Sequence, residues 1–320
     1  MDDSGGHDCR VTKGRGVATV SLNPEKTTES FADQEFAGKF FVPTPVPIRV
    51  QFGGASDVGR VRKNNEDHFA IIRRQRSQEI MLSNLPAGVF PPSIDTSYCF
   101  IVADGMGGAA AGEWASRLAL QTAWDLAGQA SSWVMRFRDL SAQQIRERAE
   151  AFASGIHQTL LEYGQADAEL HGMGTTWTSA YVVGWDALLI QVGDSRAYVF
   201  RRGELCQLTR DQTLAQDLID NGVPPERTRG VRNILTNTLG GKRDSVTPEV
   251  EHLILEDGDR LLLCSDGLTE LVSDQEIGEI VGRVSAPQAA CDALVQLALD
   301  HGGKDNVTVV LAEFRNDDPA

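Results

Sequence analysis

The sequence predicts an α+β fold in which paired, largely antiparallel sheets are flanked by helices, and three observations carry that reading. Short apolar runs rich in β-branched residues recur at 98–103, 176–183, 188–192, 197–200, 260–264 and 307–312, the pattern of buried strands. Those from 176 to 201 follow one another with no helix between them, which requires antiparallel hairpins and disfavours a doubly wound parallel sheet. Amphipathic helical patterns occupy the intervals elsewhere, with faces meant for packing on a sheet.

Taken in order, residues 1–47 mix Gly, Ser, Thr, Lys and Glu and end in VPTPVP, which favours extended chain over helix. They read as an appended tail, with room for one added edge strand at 17–22. The domain proper runs from 48 to 316, and 317–320 form a short C-terminal tail. The stretch 78–97, with Pro86, Pro91 and Pro92, reads as an insertion between two strands, of the kind usually tolerated as a loop. In the helix predicted at 113–127, Trp114, Leu118, Thr122 and Leu126 recur every four residues, with Ala115, Ala119 and Ala123 beside them. Segments 141–170, 211–221, 274–284 and 286–299 read as helices in the same way.

The 320 residues carry a formal net charge of −15, with 41% hydrophobic and 23% charged residues. That composition builds a sizeable core, and the acidity argues against non-specific binding to nucleic acid or an anionic membrane. Five cysteines with no CxxC pair indicate neither a disulfide framework nor a thiolate zinc site. With no apolar run near the ~20 residues of a membrane helix and a polar N-terminus, the expected location is cytoplasmic.

Four segments place an aspartate where a strand pattern stops or starts: CFIVADGMGG (Asp104), QVGDSRAY (Asp194), LLLCSDGL (Asp266) and GGKDNVTVV (Asp305). Any one of them alone reads as a turn, since Asp-Gly and Gly-Gly are strong turn signals. Four strand ends gathered on one sheet edge would instead crowd carboxylates, which costs free energy unless protons or cations neutralise them. Oxygen ligands without nearby His or Cys select Mg²⁺ or Mn²⁺ over zinc, and Gly105 allows its carbonyl close to an ion. A fifth segment, SDVGRVRKNNEDHF, sets Arg60, Arg62 and Lys63 ahead of Glu66 and Asp67. On its own it is an ordinary charged loop; beside an acidic cluster, an arginine offers a planar fork for a phosphate dianion.

In their order and spacing, RVRKNNED, VADGMGG, GTTWTSA, VGDSRAY, SDGL and GKDNVTVV resemble the signature blocks of the type 2C (PPM) metal-dependent protein phosphatases, bacterial-like branch. The blocks span about Ser56 to Leu311. The resemblance implies a four-layer α-β-β-α sandwich with the metals at one end. It implies hydrolysis of phosphoserine and phosphothreonine in proteins by direct attack of a metal-bridging hydroxide, with no phosphoenzyme. Carried over by position, Asp104 bridges two Mg²⁺ or Mn²⁺ ions, Asp266 and Asp305 complete the first, and the Gly105 carbonyl helps hold the second. Glu66 or Asp67 sits near that second ion, Asp194 with Asp266 matches a third, weaker position, and Arg62 matches the phosphate-binding arginine. Expected partners are phosphorylated proteins and a serine/threonine kinase that acts on them.

Two positions depart from the family pattern. Met106 stands where animal-type members carry a histidine proposed as the acid, so no side chain is assigned as general acid, and Gln212 stands where histidine is frequent. Residues 211–235 resemble the family's flap. Two weaker signals have plainer explanations. CRVTKGR at Cys9 to Arg15 fits a minimal Cys-x5-Arg pattern without the loop and helix that would activate a thiolate, and His301 reads as a helix-end residue. The rival from another class is a pseudophosphatase, a phosphoprotein-binding module, whose expected mark is a lost metal aspartate; all are present.

Overall fold

A computed structural model describes residues 48–317 apart from 79, 83, 85–92, 108 and 130–139. The predicted tail, its edge strand and the Cys9–Arg15 segment fall outside the described residues.

The chain runs β1 (Ile48–Asp57), β2 (Asp67–Gln78), β3 (Ser93–Met106), α1 (Ala109–Gln129), α2 (Ala142–Ala166), β4 (Gly174–Thr175), β5 (Trp177–Val183), β6 (Asp186–Val192), β7 (Arg196–Arg201) and β8 (Glu204–Gln207). It continues through α3 (Leu214–Asp220), β9 (Leu239–Gly240), β10 (Glu249–Ile254), β11 (Arg260–Cys264), α4 (Asp266–Thr269), α5 (Asp274–Arg283), α6 (Pro287–Asp300) and β12 (Val307–Asn316). One sheet has the order β1-β12-β11-β7-β8; the other has β10-β6-β5-β3-β4-β9, with β2 also paired to β3. The pairings are antiparallel, as the hairpin-rich sequence requires.

Side-chain alternation turns these strands into layers. Phe100 and Val102 of β3, Leu261 and Leu263 of β11, and Val310, Ala312 and Phe314 of β12 meet between the sheets. Their neighbours point the other way: Ile101 and Ala103 pack with α1 and α2, whereas Leu262, Cys264, Val309 and Leu311 pack with α5 and α6. Both faces of these strands are therefore buried, which is why they read as unbroken apolar runs. The four-layer sandwich follows.

Local signals set the helix ends. Ser141 and Gln144 form a reciprocal capping box at the start of α2, Ser273 and Glu276 do the same for α5, and Pro287 opens α6. Three expectations need adjustment. The helix predicted at 211–221 covers only 214–220, because the Gln212 backbone bonds to Gly193 and Thr236 instead of a helical turn. Residues 93–97, placed in the insertion, belong to β3 and pair with β2. On α1 the buried stripe is Ala115, Leu118, Ala119 and Ala123, while Trp114 is exposed with the Arg117 guanidinium 4.1 Å from its ring. Alanines let the helix lie close to the sheet, and an indole would hold it off.

Arg260 ties the outer helix layer to the small sheet. Its guanidinium donates to the carbonyls of Val281, Val284 and Ser285 and to Glu313 Oε2, and both charged residues are over nine-tenths buried. Removing Arg260 leaves buried Glu313 with the half-exposed Arg315, whose Nε donates to Oε1 at 2.7 Å, and takes the donor from three carbonyls in the interior. Arg260→Met is expected to cost about 3–5 kcal/mol in urea unfolding; a loss under about 1 kcal/mol would mean that surface ion-pair energetics apply.

Candidate active site

Antiparallel pairing brings the predicted acids to one sheet edge. β3 carries Asp104 close to its end, and β2 begins at Asp67, directly opposite Asp104 in the register. β11 ends just before Ser265 and Asp266, β12 starts just after Asp305 and Asn306, and Asp194 lies in the turn from β6 to β7. Strands leaving one sheet edge and strands entering it thus deliver their acids to the same place.

The consequence is severe crowding of charge. Burial, then the Asp67, Asp266, Asp194 and Asp305 charges, hold the Asp104 carboxyl well above the usual carboxylate range. Asp266 is raised in the same sense by burial and then by Asp194, Glu270, Asp305 and Asp67. Burial pushes Asp67 up to about 6 against hydrogen bonds that favour its ionised form. Asp194 rises to about 7 through burial and then Asp211, and Glu66 rises through burial, partly opposed by Arg62. Like charges directly opposite in a sheet are destabilising, so the pairing of Asp67 with Asp104 needs a compensating cation or proton.

Neutral side chains hold this cluster in register. Ser265 Oγ donates to Asp67 Oδ2 at 2.7 Å and accepts from the Thr308 N–H. Thr176 Oγ1 accepts from the Asp104 N–H at 2.9 Å, and Thr175 Oγ1 donates to the Asp104 carbonyl at 2.8 Å. Thr176 also bonds to Ser195 Oγ, linking the Asp104 strand to the Asp194 turn. Asn306 accepts from the Glu66 N–H and donates to the carbonyls of Val58 and Asn64, which pins the arginine-bearing loop to the start of β12.

Two glycines are sterically required. A Cβ on Gly105 would lie 2.1 Å from the Gly112 carbonyl, and one on Gly112 would lie 2.0 Å from Glu66 Oε2. The Glu66 carboxylate therefore nestles against the first turn of α1, where the helix dipole favours an anion.

Arg62 Nη2 donates to Asp305 Oδ2 at 2.6 Å, with the arginine side chain more than half exposed. The residue matched to phosphate thus sits at the acid cluster. Arg60 is engaged elsewhere, its Nε on the Leu299 carbonyl. Met106 ends β3 opposite Gly174 and provides no proton. Buried Gln212 accepts from the Gly193 N–H at 2.7 Å and from Asn237 Nδ2 at 3.0 Å, so here it latches the turn carrying Asp194 to the segment leading to β9. His301 caps α6 and bonds through Nδ1 to the Leu271 carbonyl, as a helix-end residue should.

The residues fit hard divalent cations. Asp67 Oδ1 is buried with no hydrogen-bond partner, and the charges crowding Asp104 are all carboxylates. Among the described residues no three His, Cys, Asp or Glu side chains already close on one point as a ready-made cage; the acids share an edge, and one of them is held by Arg62. The sequence profile of protein phosphatase 2C matches residues 93–299. The chain belongs to the protein phosphatase 2C family.

Similarity extends well beyond the matched core. A serine/threonine phosphatase stp of Listeria monocytogenes is 31% identical over 265 residues, 81% of this chain and 93% of the relative. The phosphatase PstP of Mycobacterium tuberculosis is 34% identical over 273 residues, 84% of this chain and 46% of PstP. Among solved structures, the S. agalactiae serine/threonine phosphatase has a TM-score of 0.66 at 29% identity, covering 82% of this chain and 99% of that one. A PstP catalytic domain in complex with two manganese ions has a TM-score of 0.64 at 31% identity, covering 84% and 100%. The paired antiparallel sheets and flanking helices described above agree with the fold of these 2C phosphatases. Among the described residues no helix is long and apolar enough to cross a membrane.

The raised carboxyls have a measurable signature. Groups whose folded-state pKa lies above the unfolded value contribute stability at low pH and lose it as pH rises through the folded value. For Asp67 and Asp194 that window spans about 4 to 7. In chelator, thermal stability is expected to fall between about pH 4 and pH 7, and Mn²⁺ should restore it most strongly at the upper end. A pH-independent melting temperature in chelator would show that the acids are not crowded.

Proposed function

We propose that this 2C phosphatase hydrolyses phosphoserine and phosphothreonine in proteins with two Mg²⁺ or Mn²⁺ ions held among Asp104, Asp266, Asp305 and the Gly105 carbonyl. The observation that carries this is the cluster of mutually repelling, partly buried carboxylates at one sheet edge with an arginine on its rim. Bound there, the cations would supply an activated water nucleophile and neutralise phosphoryl charge.

The chain's own residues then divide the remaining work. Asp104, crowded by four other acids, would contribute its carboxylate to more than one ion. Asp67 and Glu66, left as alternatives by the sequence, have different surroundings: Asp67 is locked by Ser265, while Glu66 faces the start of α1. Both are assigned near the second ion. Asp194, influenced by Asp211 and in turn raising Asp266, suits a third, weaker position. Arg62 orients the phosphate dianion through its fork. No side chain takes the role of general acid, consistent with Met106. Manganese in a related PstP domain supports the choice of cation. ATP-dependent kinases make the substrate, so the same reading places the protein in the cytoplasm opposite a serine/threonine kinase, in signalling.

The deciding experiment is hydrolysis of a phosphothreonine peptide with Mn²⁺, with Mg²⁺ and with chelator. Turnover that needs metal supports the enzyme; folded protein that binds the peptide without turnover would be the phosphoprotein-binding module. Replacing outer-shell partners of a metal typically costs 10–100-fold, so Asp266→Asn, which removes an assigned ligand, should lose more than about 100-fold in kcat with the fold intact by circular dichroism. Near-normal activity would remove Asp266 from the site. Arg62→Ala should raise KM about tenfold with a smaller fall in kcat; an unchanged KM would transfer the role to another cation.

A further inference from the structure

A cavity of about 650 Å³ opens between the helix-facing side of the large sheet and helices α1 and α2. Its walls have none of the acids assigned above. Trp177, Ile101, Leu188 and Ile190, each over nine-tenths buried, form an apolar interior, and Phe152 packs edge-on to Trp177 at 6.1 Å. The exposed Trp124 and Gln75 mark the mouth. The volume lies within the ~300–1,000 Å³ range of small-molecule sites.

One wall is polar and positive. Arg74 of β2 stands directly opposite Ser97 of β3 in the register, and Cys99, two positions further along the same face, stands opposite Tyr181 of β5. Half-buried Arg74 gives one N–H to the Ala127 carbonyl at 2.7 Å, and among the described residues it has no carboxylate partner. Ser97 Oγ is fully buried and meets no partner in full hydrogen-bond geometry; its neighbour of that kind is the Tyr181 hydroxyl, close enough to ease the ionisation of a phenol that burial pushes up to about 12. The Arg74 charge is felt at Cys99 as well as at Tyr181. Arg148 of α2 lines the same space. In a chain of net charge −15, an arginine with no carboxylate partner among the described residues, set beside the Tyr181 hydroxyl at the wall of an apolar chamber, is an arrangement that calls for an anion with an apolar body.

We propose that this cavity binds a monoanionic amphiphile of the fatty-carboxylate class, its head on Arg74 and Tyr181 and its body against Trp177, Ile101 and Leu188. The Arg74 guanidinium beside the Tyr181 hydroxyl suits a carboxylate head. A cationic head would be repelled by Arg74, and a neutral one would leave it unpaired.

The test is calorimetric titration of the whole protein with dodecanoate, kept below its micellar range, alongside dodecanol and dodecyltrimethylammonium. Saturable one-to-one binding of dodecanoate is expected, weakened at least about tenfold for dodecanol and undetected for the cation. Arg74→Met should weaken dodecanoate by about tenfold or more, and Ala123→Phe, which fills the chamber, should abolish binding. Both variants should keep wild-type phosphopeptide turnover, and Cys99→Phe serves as the filler if Ala123→Phe fails to fold. No saturable binding by wild type would overturn the proposal. So would equal binding of dodecanoate and the cationic amphiphile, or binding indifferent to Arg74→Met and to the filler, either of which marks non-specific detergent association only. The readout is heat of binding, so the outcome does not depend on how the phosphatase reading fares.

Discussion

Repulsion among partly buried carboxylates at a common sheet edge is the constraint around which the rest of the chain is arranged. Asp67 and Asp104 face each other across a β-ladder, and Asp266, Asp194 and Asp305 add their fields to the same point. Each unit by which such a carboxyl is raised corresponds to about 1.4 kcal/mol of unfavourable ionisation. A fold of ordinary stability, roughly 5–15 kcal/mol, tolerates this only with a large apolar reserve and a ligand that reverses the penalty. A cation that binds the folded chain and not the unfolded one does this by mass action.

The four layers provide the reserve, and also the stiffness. Three apolar clusters lie between successive layers, so the strands that end in acids are gripped on both faces and cannot splay to relieve the repulsion. At the edge itself the grip passes to hydroxyls and amides. Ser265 and Thr308 hold β11 to β12 and to Asp67, Thr176 and Ser195 hold the Asp104 strand to the Asp194 turn, and Asn306 holds the Arg62 loop. None of these groups needs to carry charge. Their task is to keep oxygen atoms crowded that would otherwise separate, the preorganisation a metal-dependent hydrolase requires.

Legibility in the sequence followed burial. β11 and the start of β12 were readable almost to the residue because both faces are apolar. β10, with only Leu253 buried, and β8, with only Cys206 buried, sit at sheet edges and carry too little hydrophobic signal. The acids were readable because each sits beside a glycine or a strand end, but the side chains that position them were not singled out, although Ser265, Thr176 and Asn306 stand in the same motif blocks. Their hydrogen bonds link residues far apart in sequence, and only pairing register reveals them. Glu66 and Asp67 were indistinguishable for the same reason, since adjacent strand-entry residues point to opposite surroundings. Trp114 misled because helical periodicity does not say which of two neighbouring stripes faces the sheet; the smaller one won.

The pairing of Arg62 with Asp305 connects the two halves of the proposed chemistry. At 2.6 Å the guanidinium is the nearest positive charge to an acid that the assignment gives to a metal. Positive charge placed among the carboxylates weakens that ion pair and frees the fork to meet a phosphate dianion; a dianion on Arg62 in turn leaves Asp305 without its partner and more receptive to a cation. Under the proposed assignment each event would remove a cost from the other, and affinity for cation and affinity for phosphoryl group would rise together by the same factor. The arginine that looks misplaced for phosphate binding is thus where linkage between substrate and cofactor requires it, on the rim of the acid cluster and sharing one of its members.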